Sequence, residues 1–493
     1  MRASRLLLVT VVVLVLLGLV AWWGGQQAER STIDRPPVPA ASSGSTLSST
    51  WYCAAATAAV PTGHVVWVTN PTSKPVTVRV TAYGADGARP AKDVAVPPDA
   101  PTPIDVAATF GSSELSVMVE SPIASLVVDH VLADTAELGD RDACATFSSG
   151  EWYFPALTTT RDAGTRLTLF NPFPGDAGVD VQVVLDTGVR VPTALSGIVV
   201  PAGTAKVVDL GQAVQRRDQF SVAVKLRSGR VVAEVAQTFD GSGPARGLRL
   251  SRGVPSAAER WSFAGGFTGA GAAETLVIQN PNRERAEVLI QVTPYGGASG
   301  APEPLRVEVP GLRYSVVDLG AESRIPGVGY HAIGVESDRP VAVARTNTIT
   351  DGAPPSEPGV VGRPDLSHGV AIATGTPVAA ADWVVPAIDQ GANPPPVLLV
   401  HNPGSGIAVV DATALRDGKA TPVPGIDHLE VPPGDSVAVP LTQPPAGTVA
   451  VRVESSAPVV VERLTTFVAQ QDLSMDLAVP FRTGGSPLVA LAG

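Results

Sequence analysis

The chain has 493 residues, of which 44% are hydrophobic and only 16% charged, and its net charge is −11. That balance argues against nucleic acid or any acidic polymer as a partner, because no basic surface would steer it. The length exceeds what one hydrophobic core serves and predicts about three or four domains. With 49 Gly, 46 Pro and abundant Val and Thr, strands and frequent turns are favoured over helices.

Arg2 and Arg5 precede Leu6–Trp23, an uncharged run closed by Trp22 and Trp23. Such a run predicts a transmembrane signal anchor over 1–23, its positive flank in the cytoplasm and everything after it outside. A cleaved signal peptide is the alternative. Residues 24–50 carry PPVPAASSGS and predict a disordered Pro/Ser-rich tether. Cys53 and Cys144 are the only cysteines, and beyond the membrane such a pair is most simply a disulfide. A catalytic thiol is the rival, but no His–Asn pattern accompanies it.

From residue 51 one unit recurs. Trp51, Trp152, Trp261 and Trp383 each stand nineteen residues before an Asn-Pro pair, at Asn70, Asn171, Asn280 and Asn402. The second and fourth residues before each Asn are apolar, whereas the residue directly before it is Thr69, Phe170, Gln279 or His401. A period of two explains this, with one face in a core and the other variable and wet. Asn tolerates turn conformations and Pro cannot continue a central strand, so the pair reads as a strand-end turn. After it come an alternating strand, a Val-Pro strand with a turn, and a last pair of strands such as VESDRPVAVAR at 335–345 and VESSAPVVVER at 453–463. The repeats are bounded as 51–150, 151–259, 260–381 and 382–493. About six or seven strands in roughly one hundred residues is the size of an antiparallel sandwich, in which the four Trp are core residues. DLAVPFRTGG at 476–485 echoes the opening strand a fifth time, so it either completes the last sandwich or closes the array. The expected fold is therefore all-β: an anchor and four tandem Ig-like sandwiches, with a propeller-like closed array as the alternative.

Motifs for chemistry are missing. The six His have no metal-ligand spacing and do not align between repeats, as solvent-side residues would behave. Asp140–Asp142 lacks the alternating carboxylates of a calcium loop and reads as an acidic linker. No G-x-S-x-G or P-loop occurs, and Gly265–Glu274 departs from a dinucleotide loop. Glu120-Ser121, Glu336-Ser337 and Glu454-Ser455 fall where hairpins are expected. No catalytic, cofactor or metal residue is assigned. A glycan site needs exposed aromatics, and Trp67, on the outward face of its strand, is the one candidate contact.

The anchor, the Trp and Asn-Pro repeats and the VES strand pairs together resemble an uncharacterised family of actinobacterial membrane-anchored secreted proteins, known only as a domain of unknown function. The strand pairs also resemble those of Ig-like modules in bacterial surface proteins. The resemblance implies no activity. The expectation is a non-catalytic, single-pass protein of the cell membrane whose C-terminal region is extracytoplasmic. It would scaffold or bind envelope proteins, with a cell-wall glycan binder as the alternative.

Overall fold

The computed structural model describes residues 38–42, 48–55, 62–134, 138–296, 301–325, 329–350, 364, 366–389, 395–441, 447–467, 472–482 and 488–491. The expected anchor Leu6–Trp23 and most of the tether lie outside them, and among the described residues no helix is long and apolar enough to cross a membrane. Residues 38–42 and 48–50 of the expected tether are among those described. Val38 and Ala41 are buried, and Ala41–Ser42 pairs in parallel with Phe481–Arg482.

The chain is all-β, and each repeat folds as a module of two facing, sandwich-like sheets. In module 2 the outer sheet joins Glu151–Leu157, Phe220–Ser228, Ala177–Leu185 and Gly188–Arg190. The inner sheet runs Thr204–Asp209, Ala163–Asn171, Val232–Asp240 and Arg246–Arg252. Modules 1 and 4 repeat this order, and in module 3 the strand beside Ala286–Pro294 is Leu305–Val309. The expected hairpin at the VES segments does not form. In module 3 the segment is one strand, Gly329–Ile349, whose first half pairs with Ala286–Pro294 in the outer sheet and whose second half pairs with Ala272–Asn280 in the inner one. Thr448–Phe467 does the same in module 4. The chain thus turns a corner between two sheets, and Ser121, Ser337 and Ser455 accept the N–H two residues on at that corner, at 3.1, 3.4 and 3.4 Å.

Between the two sheets lies the repeated indole. Trp51, Trp152, Trp261 and Trp383 are all buried, and burying so large a ring dominates each core. The Trp152, Trp261 and Trp383 indole N–H groups donate to the carbonyls of Val231, Val341 and Val459 at 3.1, 2.9 and 3.0 Å. Each Asn of the Asn-Pro pairs is likewise buried and acts as a staple. The Asn171 amide donates to Gly175 O at 2.9 Å and Val200 O at 3.0 Å, while its oxygen accepts Phe173 N–H at 3.2 Å. Asn280 and Asn402 repeat this with Val309 O at 3.0 Å and Val431 O at 2.9 Å. Asn70 donates to Lys74 O at 2.8 Å and Pro97 O at 3.0 Å. An unmet buried carbonyl is costly, so one amide closing two strand ends explains why Asn recurs there.

The modules are not strung out separately; residues 37–493 form one unit. The last strand of each inner sheet, at Leu138–Ala143, Arg246–Arg252, Gly369–Thr374 and Asp472–Leu477, packs on the next around a common axis, and the fourth returns to the first. Asp472 ties the ring. Its carboxylate accepts the N–H groups of Gly139 (3.1 Å), Leu248 (2.8 Å), Val370 (3.0 Å) and Leu473 (2.9 Å), one from each module. Gly247, at φ 150°, makes room, since a Cβ there would lie 2.6 Å from an Asp472 oxygen. Burial pushes this carboxyl up to about 8, against the pull of the four donors. The fifth echo of the opening strand does two jobs. Val479–Arg482 pairs with the Trp383 strand of module 4, while Val479 and Phe481 join the core around Trp51 in module 1. Sandwich modules and ring closure thus coexist.

Candidate functional site: the junction of modules 3 and 4

The residues after the four Trp decide how neighbouring modules meet. Trp faces its own core, so the next residue faces outward. Tyr52 and its cross-strand partner Met118 pack on the core of module 2, with the Tyr52 ring 6.3 Å from Phe170 and 5.7 Å from Phe173. Tyr153, opposite Ala223, is buried in the core of module 3. At the junction of modules 4 and 1 the corresponding pair is Val384 and Arg452, and Phe481 lies there with the Arg452 guanidinium 5.4 Å from its ring centre. In module 3 the pair is Ser262 and Gly334. Among the described residues no ring is supplied at that place. The face expected to be wet is therefore an interface: Thr69, Phe170, Gln279 and His401 are all buried. It varies because each junction matches different side chains.

The missing ring leaves a cleft of about 280 Å³ lined by Arg260, Ser262, Gln291, Gly334, His401 and Pro403 among others. It continues along the outer sheet of module 3 into an open groove of about 560 Å³ bordered by Glu287, Leu289, Arg306 and Glu308. Ser262 is 2% exposed, and its buried hydroxyl has no hydrogen-bond partner. An unmet buried hydroxyl costs about 1–3 kcal/mol. Burial pushes the His401 imidazole down to about 4, so it is neutral near pH 7. Its Nδ1 lies 3.2 Å from Asp435 O, which can only accept, and 2.9 Å from Ser436 Oγ. The proton therefore sits on Nδ1, and Nε2 is an acceptor. At the rim Arg260 pairs with Glu336 at 2.7 Å and donates to Leu491 O at 3.1 Å. The cleft thus holds one unmet donor, one neutral imidazole tied through Nδ1 to Asp435 O and Ser436 Oγ, and a paired Arg260 and Glu336 at its rim.

Comparison with known proteins places the chain by family. A family of unknown function, DUF5719, matches residues 19–134, 142–362 and 235–481, nearly the whole length. The chain belongs to this family. No curated protein matches it. Among solved structures, the crystal structure of Thermotoga maritima 1070 is 20% identical, covering 24% of this chain and 93% of its own, with a TM-score of 0.19. The Anabaena sensory rhodopsin transducer is 27% identical over 18% of this chain and 93% of its own, with a TM-score of 0.16. Neither likeness carries an argument.

Elsewhere in this DUF5719 chain the reactive side chains join modules. His130 Nε2 lies 3.1 Å from Glu234 between modules 1 and 2, with His64 3.2 Å from its other nitrogen. Arg249 donates to Thr348 Oγ1 at 2.7 Å between modules 2 and 3. Arg345 pairs with Glu462 at 3.1 Å between modules 3 and 4, and Arg463 lies 3.6 Å from Asp129 between modules 4 and 1. Five of the six His are buried, so their failure to align does not come from facing solvent. Only His428 is exposed. Asp140 and Asp142 are not an acidic linker. They are buried on the axis and accept the N–H groups of Leu250 (2.6 Å) and Arg252 (2.9 Å), capping a strand edge.

Asp411, Asp427 and His428 gather at the surface with ligand atoms within 4.8 Å. Asp411 accepts His428 N–H at 2.7 Å, as its repeat counterpart Asp180 accepts Gly197 N–H at 2.8 Å, so this carboxylate caps a loop. Cys53 and Cys144 form a disulfide in the core of module 1. Trp67 is half-buried in its strand opposite Pro103 and Asp129. Sequence reasoning missed the cleft, although the dipeptides Trp-Tyr, Trp-Tyr, Trp-Ser and Trp-Val carried its signal.

Proposed function

We propose that this chain is a non-catalytic, membrane-anchored extracytoplasmic scaffold of the cell envelope, built of Ig-like modules closed into a ring, and that it holds a partner protein at the junction of modules 3 and 4. The observation that carries the reading is the cleft itself: Ser262 and Gly334 stand where the other junctions carry Tyr52, Tyr153 and Phe481. The charges buried at the junctions bind module to module, which suits a rigid platform. The disulfide supports an oxidising compartment, in line with the anchor expected at Leu6–Trp23. Trp67 offers a cell-wall glycan only part of its ring, so the protein partner is the better reading.

The test is photo-crosslinking in intact cells from Arg306, on the groove rim, and from Val199, exposed on module 2. The expected result is one envelope protein captured stoichiometrically from Arg306, not from Val199, and lost on Ser262→Tyr. Capture that ignores the Ser262→Tyr change, or retention of the purified chain on cell-wall polysaccharide that Trp67→Ala abolishes, would reject the proposal.

A further inference from the structure

We infer that the cleft between modules 3 and 4 is a socket for one tyrosine-type side chain presented by a partner polypeptide. The inference rests on the reading that this junction binds a protein, and it names the group recognised. Internal repetition is the first argument. At the equivalent place in modules 1 and 2 the fold inserts Tyr52 and Tyr153 against the neighbouring module, and at the junction of modules 4 and 1 it inserts Phe481. The backbone pairing that frames these rings is the same in module 3, where Ser262 faces Gly334 across the sheet. A six-membered ring is therefore the shape that this junction is built around, and it is the piece not provided.

Polar chemistry is the second argument, and it is independent of the first. A phenol is both donor and acceptor. Ser262 brings a buried hydroxyl without a partner, and His401 brings a neutral ring whose Nδ1 is committed to Asp435 O. A tyrosine hydroxyl can accept from Ser262 and donate to the His401 imidazole, whereas a phenylalanine ring leaves the Ser262 hydroxyl unmet. Size is the third. About 280 Å³ falls just short of the range, from about 300 Å³, in which pockets hold whole small molecules. One side chain anchored there, with its flanking backbone lying along the open groove beside Leu289 and Arg306, matches the way an aromatic anchor seats in a partner's pocket.

The probes are N-acetyl-tyrosinamide, N-acetyl-phenylalaninamide and methyl glucoside, titrated into the full chain in detergent with ligand-detected NMR. Expected is saturable binding of the tyrosine amide, a preference of about tenfold over the phenylalanine amide, and no binding of the sugar. Ser262→Tyr should abolish binding while leaving the melting temperature unchanged or raised, which separates occupancy of the cleft from misfolding. Ser262→Ala should keep binding but bring the tyrosine-to-phenylalanine preference close to one. Absence of saturable binding, or binding that Ser262→Tyr leaves intact, overturns the inference. If the Arg306 crosslink in cells still depends on residue 262 while the tyrosine amide does not bind, the socket falls and the scaffold reading stands; if both fail, both fall.

Discussion

The junction of modules 1 and 2 and the junction of modules 3 and 4 are built on one plan and finished differently. At the first, Tyr52 and Tyr83 close around Phe170, with Tyr83 at 5.2 Å, and a disulfide fastens the Trp51 strand to the strand that leaves the module. At the second, Ser262 and Gly334 leave the space open, and Arg345 with Glu462 holds the modules from the axial side. Both junctions bury charge, so the ring does not depend on the aromatic contact alone. That redundancy is what lets one junction keep an open cleft: closure comes from the axis and from Asp472, and the outer face is free to differ.

The contrast can be broken most severely at the fastened end. Replacing Cys53 and Cys144 by serine removes a link between residues 91 apart. On chain-entropy grounds this should lower stability by about 5 kcal/mol, read from denaturant midpoints of the two proteins. A midpoint unchanged from the parent would mean that the buried packing of module 1 holds without the link. At the open end the axial pair should matter nearly as much. Arg345→Met strands the Glu462 carboxylate in the interior and should cost about 3–5 kcal/mol, and adding Glu462→Leu should recover much of that. If the double variant is no more stable than the single one, the pair is not what holds modules 3 and 4.

Acid should sharpen the same comparison. Burial holds His401 at about 4 and, with the neighbouring His130, holds His64 at about 3, both well under the unfolded value near 6.5. In each case the unfolded chain takes up a proton that the folded chain refuses. Stability from these groups is therefore complete above about pH 6.5 and lost as pH falls toward 4 and 3, by about 3 kcal/mol for His401 and about 5 kcal/mol for His64. His401→Gln should remove the contribution from the open junction and leave that of His64. A His401 ring that titrates near pH 6.5 by NMR would contradict the burial on which this rests.

Much of the fold was legible because it is repeated. Four Trp and four Asn-Pro pairs at constant spacing announced modules, and the alternation placed Val66, Leu167, Leu276 and Leu398 inside. What escaped was everything between modules. Thr69, Phe170, Gln279 and His401 differ because each meets a different neighbour, and a variable position reads as a wet one when single strands are considered alone. Asp129, Glu234, Arg345 and Arg463 lie on strands, where charge suggests solvent, yet they face other modules across the ring. Turn-forming residues at Ser121 and Ser337 suggested hairpins, although the same residues serve a corner between sheets.

The smallest expected effect tests the comparison most directly. Ser262→Tyr copies the residue of modules 1 and 2 into module 3, opposite a Gly334 that leaves space for it. Filling a cleft that is already framed should stabilise by up to about 1 kcal/mol, and the buried serine hydroxyl without a partner disappears with it. The converse change, Tyr52→Ser, removes a ring packed on Phe170 and Phe173 and should cost more, about 2–3 kcal/mol, because a filled site collapses only in part when it is emptied. The inequality follows from function as much as from packing. A cleft retained for a partner should tolerate filling, whereas a cleft that merely lacks support should gain as much from tyrosine at 262 as the first junction loses at 52. Thermal melts of the two single variants and of the double one decide between them.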